Sequence, residues 1–111
     1  MKTREVGKEL AELTAEYKKS LSDKHEEIST LTRQLKQCDW TDTALIHQLY
    51  QQIHKLAGSA GSYGFDQISE TAIVIDSLIK TYKTGKGLDQ KKVSAGLERL
   101  LELLQAEYDV R

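Results

Sequence analysis

Proline is absent from the 111 residues, so no fixed φ angle or missing amide hydrogen interrupts a helix anywhere along the chain. A single cysteine, Cys38, excludes an internal disulfide and any cysteine-rich zinc module. Lysine and arginine number 16 against 17 acidic residues. No basic run with interleaved aromatics stands out, so nucleic-acid binding lacks its electrostatic footprint. The longest apolar run, Ala72 to Ile75, is far short of the roughly 20 residues a membrane helix needs. The stretch from Met1 to Leu21 is too charged for a signal peptide. No repeat, low-complexity tract, interdomain linker or sheet-building alternation is visible. A single domain over 1–111 with a cytoplasmic location is expected, and the 39% hydrophobic content suffices for a bundle core.

What is present is helical periodicity. The spacing predicts five helices. The first covers about 3–20, with Val6, Leu10, Leu13 and Tyr17 on one face. A break near Ser20 to Asp23 offers capping oxygens, and Asp23 with Glu26 has capping-box spacing. The second runs to about Gln37 through Ile28, Leu31 and Leu35. After a connection over Cys38 to Trp40, Thr41 or Asp42 caps the third, which ends near Ser62. Phe65, Ile68, Ala72, Ile75, Ile79 and Tyr82 define the fourth. Beyond the turn Thr84-Gly85-Lys86-Gly87, Val93, Leu97, Leu100 and Leu104 define the fifth, ending near Tyr108. Short connections between the last four favour antiparallel neighbours. The expected fold is all-α, an up-down four-helix bundle over 22–108 with an additional N-terminal capping helix over 1–20.

The third helix carries the most informative segment, His54 to Phe65. Ile46, Leu49, Ile53, Leu56 and Ala60 form its buried face. At about 100° per residue, His54 falls roughly 140° from the centre of that face and is expected to be exposed. Each interior glycine costs a helix about 0.8 to 1 kcal/mol relative to alanine. Gly58 and Gly61 nevertheless stand four and seven residues beyond His54, along its own stripe, and clear space beside the imidazole. His47, Gln51, Gly58, Gly61 and Ser62 share this outer surface with His54, a landing surface for another macromolecule.

These residues resemble the signature of the histidine phosphotransfer (HPt) domain of bacterial two-component phosphorelays. Tyr17, Leu21, Ile28, Asp39-Trp40, Leu49, Phe65, Ile68, Ser69, Ala72, Ile75 and Leu78 extend the likeness over roughly 17–80. One departure is Ala57, where the commonest form of the motif has lysine.

The resemblance implies that His54 accepts a phosphoryl group from a receiver-domain aspartate and passes it to another receiver. The partners are then a response-regulator receiver domain and a hybrid sensor histidine kinase, with the chain acting as a monomer. The receiver supplies the divalent metal, so the chain needs no cofactor or metal site of its own. It is expected to be a phosphocarrier and not a kinase, because no ATP-binding glycine motif or set of acidic metal ligands is present. Lys55, next to His54, offers a cation in place of the lysine missing at 57. Asp76 stands where the resemblance suggests a polar residue that orients the histidine, and its carboxylate would hold the Nδ1 proton.

Plainer readings apply elsewhere. His47, two helical turns or about 10.5 Å from His54, is a rim residue. His25 is a surface residue, Tyr50 and Tyr63 pack at the core or its edge, and the glycines of the 84–87 turn are structural. The alternative function is an interaction module that docks receivers without carrying phosphate. A metal enzyme built in the bundle would need Glu-x-x-His spacing, which does not occur.

Overall fold

The computed structural model describes residues 2–83, 85 and 87–108, with side chains from Glu9 to Glu107. Four α-helices follow one another: α1 (Lys2–Gln37), α2 (Thr43–Ser62), α3 (Asp66–Lys83) and α4 (Gln90–Tyr108). Each packs on the next, and α4 closes the ring against α1. Partner pairs show the antiparallel register. Tyr17 meets Ser59 and Lys24 meets Gln52 between α1 and α2. His47 meets Lys83 and His54 meets Asp76 between α2 and α3.

The all-α antiparallel bundle is the architecture expected, with one difference. The segments read as a first and a second helix form one continuous α1, so the separate cap and its break at Ser20 to Asp23 do not exist. The apolar series explains why: Tyr17, Leu21, Ile28, Leu31 and Leu35 keep one helical stripe through the supposed break, and Leu21 is fully buried. Ser20 turns its hydroxyl back to the Tyr17 carbonyl, and Asp23 and Glu26 line a groove instead of forming a capping box. A 36-residue helix is about 54 Å long against about 30 Å for the 20 residues of α2. The N-terminal turns of α1 therefore project past the end of α2, leaving Leu10 and Leu13 exposed. Val6, expected on that face, lies outside the described side chains.

Leu21, Ile28, Leu35, Ile46, Leu49, Ile53, Leu56, Ile75, Ile79, Val93, Leu97, Leu100 and Leu104 fill the core. Both corners flanking α2 close with the same hydrogen-bond pattern. At the end of α1 the Trp40 amide reaches the Leu35 carbonyl and the Asp39 amide that of Lys36. At the end of α2 the Phe65 amide reaches Ala60 and the Gly64 amide Gly61. The left-handed residue is Gly64 (φ 85°) at the second corner, whereas Asp39 and Trp40 (φ 55° and 60°) take that conformation at the first. Asp42 is the cap of α2, its carboxylate accepting from the amides of Ala44 and Leu45. Asp89 does the same for α4 through the Lys92 amide. In the turn between α3 and α4, Gly85 adopts φ 99°; Thr84 and Lys86 lie outside the described residues.

One glycine not singled out in the sequence sets the spacing of α3 and α4. A Cβ on Gly96 would lie 2.8 Å from Cγ1 of Ile75, so the two helices approach as closely as a missing side chain permits.

Candidate functional site around His54

His54 stands on the outer side of α2 with its side chain 66% exposed, as its angular position requires. Its Nδ1 lies 2.6 Å from Oδ2 of Asp76, on α3, which is only 16% exposed. A carboxylate only accepts, so Nδ1 is the donor and Nε2 keeps its lone pair in the neutral ring. Asp76 thus fixes both the tautomer and the direction of the imidazole, with Nε2 on the far side of the ring from the carboxylate.

Tyr50, one turn before His54, stacks on the imidazole with ring centroids 5.6 Å apart. Its phenol is pushed above the usual tyrosine value, first by partial burial and then by the charge of Asp76 and a hydrogen bond to it. Across the same groove the Lys83 ammonium sits 4.3 Å from the Tyr50 ring centroid and 2.6 Å from Nδ1 of His47. Because an ammonium only donates, His47 accepts through Nδ1. His47 is thus tied into the α2–α3 groove.

The two stripe glycines differ. A Cβ at Gly58 would meet nothing within 4 Å, so the surface beside His54 is open there. At Gly61 a Cβ would lie 3.1 Å from Ser69 Oγ, whose hydroxyl donates to the Ala57 carbonyl at 2.7 Å. The absent side chain at 61 makes room for an α3 serine that fastens the two helices. Ser62 is exposed and turns its hydroxyl back to the Gly58 carbonyl.

Gln51 faces the other way, lining a groove of about 550 Å³ between α1 and α2 together with Gln48, Gln52, Asp23 and Glu27. Lys55 is exposed and lies about 100° around the helix from His54, and Ala57 is half-buried against the core. His25 is on α1 and not on the α2–α3 hairpin. Tyr63 belongs to an edge cluster, stacked on Tyr17 at 4.3 Å, while Tyr17 shares a hydrogen bond of 2.7 Å with Ser59 and leans on Phe65.

The structure thus gathers His54, Asp76, Gly58 and His47, places Gln51 and Lys55 to one side, and adds Tyr50 and Lys83. Lys83 carried no sequence signal beyond its charge near the end of α3. Tyr50 stands at i−4 from His54, a spacing at which helical side chains meet.

A family model described as the Hpt domain matches residues 9–107, and the chain belongs to that family. Hpt domains serve histidine phosphotransfer in phosphorelays, interacting with receiver domains and kinases, and are phosphocarriers rather than kinases. Neither the curated proteins nor the solved structures compared with the chain give a match. Among the described residues no helix is long and apolar enough to cross a membrane.

Proposed function

We propose that His54 is the phosphoacceptor of a relay, taking a phosphoryl group from the aspartate of one receiver domain and delivering it to the aspartate of another. The observation that carries this reading is the 2.6 Å contact between His54 Nδ1 and Asp76, which leaves Nε2 as the reactive nitrogen on an exposed stripe beside the open surface at Gly58.

The chemistry asks little of the chain. The Nε2 lone pair attacks the phosphorus of the acyl phosphate; the N–P bond forms while the P–O bond breaks, its electron pair leaving with the receiver's carboxylate. No proton needs to move. The Nδ1 hydrogen stays on the ring, which becomes cationic, and the carboxylate of Asp76 balances that charge from the other side. Onward transfer reverses these steps with the second receiver. The divalent metal of the exchange belongs to the receiver in this scheme, and His47, Gly58, Gly61 and Ser62 form the landing surface, with Gln51 at its α1 edge. Lys55 is the weaker of the proposed supports, since its direction on the helix diverges from that of His54. A single domain acting as a monomer in the cytoplasm, served by a response regulator and a hybrid sensor kinase, completes the proposal.

The test is incubation with a panel of receiver domains carrying radiolabelled aspartyl phosphate. The parent is expected to acquire an acid-labile, base-stable label, while His54→Gln keeps the helical circular dichroism and stays unlabelled. Label on that variant, or on His25 or His47 of the parent, overturns the assignment. A parent that binds receivers without accepting label favours a docking module instead.

A further inference from the structure

Phosphorylation of His54 would set a group of about −1.5 to −2 charge on a ring whose other nitrogen already faces a carboxylate. The α2 position that could have answered with a lysine three residues on is Ala57. Elsewhere on this chain one ammonium is already held against the aromatic neighbour of His54. Lys83 is exposed, sits over the face of Tyr50 and donates to His47, while Tyr50 stacks on His54. The two distances together keep the ammonium within about 10 Å of the imidazole, about one Debye length at 0.1 M salt, so a modest swing of the lysine side chain brings the charges into unscreened range.

We propose, resting on the reading of His54 as phosphoacceptor, that Lys83 is the positioning cation of the phosphorylated state: it leaves the neutral nitrogen of His47 and pairs with the phosphoryl oxygens on Nε2. The exchange is favoured because the ammonium gains Coulomb attraction to a phosphoryl group of about −1.5 to −2 charge, which the neutral His47 nitrogen does not offer. Tyr50 serves as the surface over which the lysine moves. The site thereby takes from the end of α3 the charge that α2 lacks. Lys55 points about 100° away from His54 around α2. Lys80 is exposed on α3, and no contact among those described directs it at the ring.

The test uses potassium phosphoramidate as phosphoryl donor, which loads imidazole nitrogen with release of ammonia and needs no receiver. The phosphorus NMR signal of phospho-His54, identified by its loss in His54→Gln, is titrated with pH in the parent and in Lys83→Gln. Removing the cation is expected to raise the proton affinity of the phosphoryl group up to about fivefold, the range of an exposed ion pair. The shift should shrink in 1 M salt, where the Debye length falls to about 3 Å. Lys83→Arg is expected to titrate like the parent, and Ala57→Lys added to Lys83→Gln to recover most of the difference. On loading, the His47 ring nitrogens should shift in the parent and not in Lys83→Gln. Superimposable titrations of parent and Lys83→Gln, or a shift produced instead by Lys55→Gln or Lys80→Gln, overturn the inference. Because loading here is chemical, a protein that shows the Lys83 effect yet accepts nothing from any receiver overturns the relay reading alone.

Discussion

Asp76 accepts a hydrogen bond from Nδ1–H of His54 across the α2–α3 groove, 22 residues away in sequence and 2.6 Å away in space. The pairing joins a mostly exposed ring to a mostly covered carboxylate, so the covered partner sets the orientation of the exposed one. It also gives the phosphoryl-transfer reading its sharpest mutational consequence.

Asp76→Ala should slow phosphoryl transfer to His54 about tenfold, the lower end of the range for hydrogen bonds to charged groups because the ring is exposed. Asp76→Asn, which keeps an acceptor oxygen and loses the charge, should fall between that variant and the parent. Transfer rates from one phosphorylated receiver decide the order, with circular dichroism melts showing that the bundle is intact. Equal rates for all three would leave the carboxylate without a role.

Gly58 and Gly61 should respond differently to alanine. Gly58→Ala enters open space and should gain about 0.8 to 1 kcal/mol of helix propensity. Gly61→Ala would press on the Ser69 hydroxyl, and loss of that hydrogen bond, worth about 1 kcal/mol, cancels the gain. Urea midpoints distinguish them. Gly58→Glu should keep the fold and abolish transfer, since it sets bulk and negative charge beside the incoming phosphoryl group.

Gly96→Ala should destabilise the protein by about 1 kcal/mol net. The new methyl would overlap Ile75, overpacking costs about 1 to 3 kcal/mol, and the propensity gain returns about 1 kcal/mol. A urea midpoint at or above that of the parent would show that α3 and α4 separate without cost.

Tyr17 predicts alkaline behaviour. Burial raises its phenol above the ordinary value of 10.0, the hydrogen bond with Ser59 opposes that shift, and Tyr63 adds to it. The native state therefore holds the phenolic proton to higher pH than the unfolded chain does. This contribution is fully present below pH 10 and is lost as pH rises through the native value. Tyr17→Phe should be less stable than the parent near pH 8, where it lacks the bond to Ser59, and the gap should narrow above pH 10. A gap that widens there in urea titrations would reverse the sign.

The sequence made α2, α3 and α4 legible because their apolar spacing and their caps agree: Asp42 begins α2, and Gly64 follows it with a positive φ. It misled at Ser20 to Asp23, where capping residue types coincide with an unbroken apolar stripe and the burial of Leu21 decides in favour of continuity. His54 was readable as exposed from angle alone. That Gly61 answers Ser69, that Gly96 answers Ile75, and that Lys83 reaches His47 depend on the register between helices, which no single helix encodes.

That register has a consequence for how recognition can be exchanged between proteins. Everything gathered around His54, from the Asp42 cap to Lys83, belongs to one unbroken helical hairpin, while α1 and α4 supply only its backing. Such a hairpin is a transplantable cassette: moved as a block into a related bundle, it carries its orienting carboxylate, its glycine clearing and its lysine together. The seam of such a chimera against the last helix includes the contact of Ile75 with Gly96, so the recipient must present a glycine at that level for the graft to seat.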